Sequence, residues 1–176
     1  MTIAAGKQVI ALAKGTTTVY LGVQKVEEIL SDGSSKIPRP LTKVNQDIKN
    51  PGTLIIGLKT INHVFNVTGF LDASAESGNY GLSWSGGTIS NADDARKALI
   101  KDIIYRGGDI EMHYRNYKDS DYGEYYGTGS TGASTTYVKT YLDKISFIDA
   151  STRADDGSTL VHRYLVQLAL TRGVVR

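Results

Sequence analysis

Apolar and polar residues alternate along most of this chain with the two-residue period of a half-buried β-strand. Lys7–Leu12 and Thr16–Val23 read as two short strands separated by Lys14-Gly15. Val26, Ile29 and Leu30 also fit one helical turn, but Ser31-Asp32-Gly33-Ser34-Ser35 ends that pattern at once, so strand continuation is the better reading. Thr53–Leu71 is the strongest β segment. Leu54, Ile56 and Leu58 alternate there, whereas His63, Phe65, Val67 and Gly69 fall on the other parity, which places a bulge or bend around Lys59–Asn62.

One stretch changes period. Ala92, Ala95, Leu99, Ile100, Ile103 and Ile104 recur at helical spacing and predict an α-helix over about residues 91–106. Ser90 or Asn91 can cap its start, and Asp93 and Asp94 sit in the first turn, where the helix dipole favours negative charge. Arg106 lies in the last turn, and Gly107 can take the left-handed conformation that ends helices. The stripe is one-sided, so this helix is expected to pack on a sheet.

Alternation then resumes. Ile110, Met112 and Tyr114 share one face of a strand, with Glu111 and His113 on the other. Tyr137–Ile148 and Leu160–Thr171 read as long strands joined by a polar connector over residues 150–158. In the last strand Leu160, Tyr164, Val166, Leu168 and Leu170 mark the buried face, and Arg163, Gln167 and Thr171 the polar one. Strands, one helix, then strands, without βα alternation, predict a mainly β domain: an antiparallel sandwich or barrel with one packed helix.

Three segments interrupt it. Residues 36–52 hold all three prolines, Pro38, Pro40 and Pro51; each removes a backbone donor, so the segment reads as an extended arm or long loop. Residues 72–88, rich in Gly, Ser and Asn, read as a loop with one short strand anchored by Trp84. Residues 117–135 read as a long Tyr/Gly loop.

Composition narrows function. At 176 residues the chain suits a single domain, and 40% apolar residues supply a core. Twenty Lys and Arg against 18 Asp and Glu leave a formal charge of +2, too little for a protein that coats nucleic acid electrostatically. With no cysteine, disulfides, zinc-thiolate sites and thiol nucleophiles are excluded. The start shows no basic region followed by an apolar run, so no signal peptide is expected, and no stretch has the length to span a bilayer. Synthesis in the cytoplasm is the expectation.

Catalytic chemistry is not evident. His63, His113 and His162 each fall in a predicted strand, without the paired spacing of a metal site, and read as structural. Asp119, Asp121 and Glu124 lack the ligand spacing of a calcium loop. The glycines at 123, 127, 129 and 132 are followed by no P-loop lysine. The expectation is a protein that is not an enzyme and holds no cofactor or metal. Lys36, Arg39, Lys43 and Lys49 make a locally basic arm without interleaved aromatics, suited to acidic patches on a neighbour. Tyr114, Tyr117, Tyr122, Tyr125 and Tyr126 suit an interface, since tyrosine covers area at low entropy cost. A carbohydrate-binding β-sandwich using these tyrosines and Trp84 is the competing reading.

The order of elements carries a resemblance. A strand ending in VTGFL (Val67–Leu71) leads through a loop to a helix closing on Arg106-Gly107-Gly108. A short strand (Ile110–Tyr114) and a long loop follow, then closing strands containing YLDKISF (Tyr141–Phe147) and YLVQLAL (Tyr164–Leu170). From Leu54 to Gly173 the chain resembles the tail tube proteins of tailed viruses and their relatives in contractile injection systems.

That resemblance implies a virion protein that self-assembles into rings, commonly hexameric, in which each sheet joins its neighbour's edge around a lumen. Rings would stack into a tube that contacts other tail proteins and passes double-stranded DNA without binding it specifically. The arm would contribute Lys36, Pro38, Arg39, Pro40 and Lys43 to contacts between subunits, and the loop Tyr117, Tyr122, Tyr125 and Tyr126. A baseplate or tail-end ring protein of the same fold is the nearest alternative. Lumens of this family tend to be acidic. Here Glu111 is a candidate lining residue that Lys139, Lys144 and Arg163 could offset.

Overall fold

The computed structural model describes residues 9–32, 35–38, 53–56, 61–74, 77–115, 117–118, 136–153 and 160–172. Its body is built on β1 (Val9–Lys14), β2 (Thr17–Asp32), β5 (Ile61–Leu71), β8 (Ile110–His113), β9 (Val138–Asp149) and β12 (Tyr164–Arg172). These six strands close, all antiparallel, into a barrel in the order β1-β2-β5-β12-β9-β8. Of the two expected architectures, barrel and sandwich, the chain adopts the barrel.

Three two-stranded ladders lie outside it. β3 (Ser35–Pro38) pairs with β4 (Thr53–Ile56), β6 (Ser83–Trp84) with β7 (Gly87–Thr88), and β10 (Thr152–Arg153) with β11 (Leu160–Val161).

The strands form where alternation predicts them, with corrected boundaries. β2 runs sixteen residues, because the polar Ser31 and Asp32 pair with Asn62 and Ile61 of β5 and extend the ladder rather than end it. The first residues of the expected arm, Lys36 and Pro38, belong to β3; Pro38 sits at the strand's end, where a missing donor costs least. The parity change in the strongest β segment marks a switch of sheet, since β4 pairs with β3 while β5 pairs with β2 and β12. His162 stands between β11 and β12 rather than within a strand.

The barrel is filled by alternate side chains. Ile10, Leu12, Val19, Leu21, Phe65, Val67, Ile110, Met112, Val138, Val166, Leu168 and Leu170 point inward and are buried. Each large side chain of this kind contributes roughly 1.5–3 kcal/mol through removal from water. β2 and β5 approach closely: a Cβ on Gly69 would stand 2.7 Å from the carbonyl oxygen of Gly22, so only glycine fits there.

The helix closes this core. α1 spans Ala92–Ala98 and continues as a π-helical segment over Leu99–Ile104. Asn91 is the cap: its side chain accepts from the Asp94 N–H at 2.8 Å, while Ser90 donates back to the Asp94 carboxylate. Gly107 adopts φ +61°, as its position after the helix predicts. Ala92, Ala95, Ala98, Leu99 and Ile103 are buried against the barrel, with small residues letting the helix sit close. The π turn, marked by the Tyr105 N–H reaching the Ile100 carbonyl at 2.8 Å, is not foreshadowed by the α-spaced stripe.

Candidate assembly interface

Among the described residues, β1 pairs with β2 from Lys14↔Thr17 only as far as Val9↔Gly22. From Val23 onward β2 pairs with β5 alone, and beyond Thr140 β9 pairs with β12 alone, among the described residues. The short strand β8 bridges β1 and β9 over Ile110–His113 and closes the barrel only there. What projects beyond that closure is a four-stranded sheet, β2-β5-β12-β9, with one open edge on β2 and another on β9 among the described residues.

An open edge offers a row of donors and acceptors to any strand that can reach it. These two carry apolar side chains where solvent would favour polar ones: Ile29 is 41% exposed, Leu30 57% and Ile148 49%. They also carry devices that restrict pairing. Each has a register break, at Val23/Lys25 on β2 and where Leu142 and Lys144 flank Asp143 on β9, and each has an exposed lysine, Lys25 and Lys144.

The sheet's two faces differ. One is the barrel interior. On the other, strand register sets side chains in straight rows: Lys25–Thr68–Gln167–Ser146, Glu27–Asn66–Ala169–Lys144 and Ile29–Val64–Thr171–Tyr141. Amides and hydroxyls fill half of these positions, and the charges nearly balance. Lys25, Lys144 and Arg163, whose guanidinium lies 4.3 Å from the Phe70 ring centroid, face Glu27 and Asp143, which accepts from Thr171. Glu111 is not among them: it pairs with Lys139 across β8 and β9, off this sheet.

At the open end of β2, a cleft of about 300 Å³ is lined by Val23, Lys25, Glu28, Tyr114, Arg115 and Tyr117. Glu28 and Tyr117 of its lining belong to a polar cluster. His63, 1% exposed, shares a 2.7 Å hydrogen bond with Glu28, and its ring packs tilted against Phe65 at 4.4 Å. Burial, the Glu28 charge and a hydrogen bond to Glu28 push the Tyr117 hydroxyl above the usual tyrosine pKa. Tyr117 is thus a half-buried anchor at the start of the long loop, packed on Tyr114 at 5.6 Å.

A second polar cluster pins the helix. Asp102, 2% exposed, accepts from the Ser85 N–H (2.7 Å), the Ser85 hydroxyl (2.5 Å) and the Thr17 hydroxyl (3.1 Å), with Arg106 at 3.6 Å. Burial pushes its carboxyl up, but the Ser85 and Thr17 hydrogen bonds and the Arg106 charge together hold it below the usual carboxylate range. No pattern in the sequence places a carboxylate in the core. The spacing to Arg106 was visible, but Thr17 and Ser85 lie 85 and 17 residues away.

Trp84 packs inward on the core. A Cβ on Gly86 would collide with its ring at 2.3 Å, and Lys101 Nζ stands 5.8 Å from the ring centroid, so the indole is held by its own surroundings. Of the expected contact residues, Arg39, Pro40, Lys43, Tyr122, Tyr125 and Tyr126 lie outside the described residues. Lys36 and Pro38 lie in β3, which pairs with β4 and not with the four-stranded sheet, and Tyr117 borders the cleft on β2.

Among the described residues, no three His, Asp or Glu side chains gather as a metal site, and no helix is long and apolar enough to cross a membrane. No protein-family model matches the chain, and a search of curated proteins finds no match.

Proposed function

We propose that this chain is a structural subunit that self-assembles edge to edge into rings, which stack into the tail tube of a virus and pass its genome. One observation carries the reading: among the described residues, a four-stranded antiparallel sheet has an open edge on each side and one face left uncovered by the barrel and helix. β2 and β9 run in opposite directions in that sheet, so the β9 edge of one copy can meet the β2 edge of the next as an ordinary antiparallel pair. Repeating the step closes a ring and removes both edges at once.

The uncovered face then lines the lumen. Its amides, hydroxyls and balanced charges suit passage of DNA, because a strongly basic wall would hold phosphate. The acidic lining expected from family resemblance has no support on this face. Repulsion is replaced by near-neutrality, and DNA slides because little grips it.

Negative-stain microscopy with sedimentation of the purified chain tests the proposal. Rings and stacked tubes are expected as concentration rises. A chain that stays monomeric at high concentration overturns the reading; rings that never stack point instead to a baseplate or tail-end ring of the same fold.

A further inference from the structure

Glu27 and Lys144 occupy opposite ends of a single row across the uncovered face, Glu27–Asn66–Ala169–Lys144. Both are exposed, one on each open edge. We propose that Glu27 of each copy pairs with Lys144 of the next, an electrostatic clasp that sets the register in which the two edges join. The inference deepens the ring reading and rests on it.

The row runs straight across the sheet, so a second copy added in the same plane continues it and brings opposite charges together at the seam. Neighbouring rows make the choice of register sharp. A slip of two residues in one direction sets Lys25 against Lys144, a like-charge pair directly opposite. The same slip in the other direction sets Glu27 against the neutral Ser146 and loses the attraction.

Both groups are available. Lys144 has no ion pair or hydrogen bond among the described residues. Glu27 has only Lys25 of its own strand, at 3.7 Å, with side chains 49% and 68% exposed, a contact solvent weakens. Asp143 beside Lys144 is engaged by Thr171 and does not compete for the incoming edge. Apolar contacts supply the rest of the seam, since Ile29 and Ile148 are also exposed there. The clasp thus selects a register, and burial holds it.

A charge swap in the full chain tests this, with assembly followed by sedimentation velocity and microscopy. Glu27→Lys and Lys144→Glu should each raise the concentration needed for rings by about tenfold, as expected when an attraction near 1 kcal/mol becomes a repulsion. Melting of the monomers should be unchanged. The combined Glu27→Lys/Lys144→Glu variant should assemble nearly as wild type does.

Salt gives a second reading. Wild-type assembly should weaken as ionic strength rises, and that dependence should shrink in Glu27→Gln/Lys144→Gln. Wild-type rings with single reversals that assemble unchanged, or a folded swap variant no better than either single, overturn the clasp and leave the ring reading standing. A wild-type chain that forms no rings overturns both.

Discussion

The two halves of this barrel solve the edge problem differently. Where β1 and β8 close the cylinder, every strand has two neighbours, and the helix lies against the closure with its one buried carboxylate, Asp102, fully hydrogen-bonded. Where β2 and β9 run past that closure, each has a single neighbour among the described residues and presents exposed isoleucine beside charge. The closed half spends its polar groups internally and needs no partner. The open half leaves edge donors and a row of polar side chains facing outward, as the proposed pairing with another copy requires. Stability should therefore reside in the first and assembly in the second, and substitutions should separate them.

The largest effect on folding belongs to the shared core. Phe65→Ala should cost about 3–5 kcal/mol in urea unfolding, because the side chain is fully buried and its site is ringed by packed residues. Asp102→Ala should cost about 2–3 kcal/mol, since the Ser85 and Thr17 donors lose their acceptor inside the protein.

The same carboxylate gives a pH signature. Its folded pKa is depressed, so its contribution is complete above the unfolded carboxylate value of about 3.9 and is lost as pH falls through the lower folded value. Asp102→Asn should lower stability at neutral pH and flatten the acid limb of the stability curve; an unchanged acid limb would contradict the pinning of the helix by Asp102. Tyr117→Phe removes a hydroxyl hydrogen-bonded to Glu28 and should cost about 1 kcal/mol.

Smallest for the fold, and largest for assembly, are changes at the open edges. Ile29→Lys or Ile148→Lys should leave monomer unfolding within about 0.5 kcal/mol of wild type, because each side chain already faces solvent. Either should suppress rings in sedimentation. An edge variant that unfolds the monomer but spares assembly would invert the contrast between the two halves.

Local rules carry over to this structure, and long-range ones do not. Asn91 at the cap, Gly107 at the stop, and the alternation of Ile110, Met112 and Tyr114 depend on neighbours within one or two turns of chain, and all are legible. The switch of sheet between β4 and β5 shows only as a change of parity, because pairing partners are chosen elsewhere in the chain. Asp102 looks like a surface partner for Arg106 until Thr17 and Ser85 arrive from distant strands. The open edges were invisible for the same reason. Whether Ile29 or Ile148 lacks a neighbour depends on where β1 turns back and where β8 ends, and neither residue's own surroundings in sequence record it.

Proximity of β2 to β9 of another copy is the central claim, and the absence of cysteine makes it directly measurable. Lys25 and Ser146 end a row next to the clasp, so Lys25→Cys/Ser146→Cys places one thiol on each edge while leaving Glu27 and Lys144 intact. Mild oxidation of the assembled variant should yield a ladder of disulfide-linked multimers that ends at a closed ring and collapses to monomer on reduction. Assembled particles that give only monomer after oxidation would contradict the edge-to-edge ring.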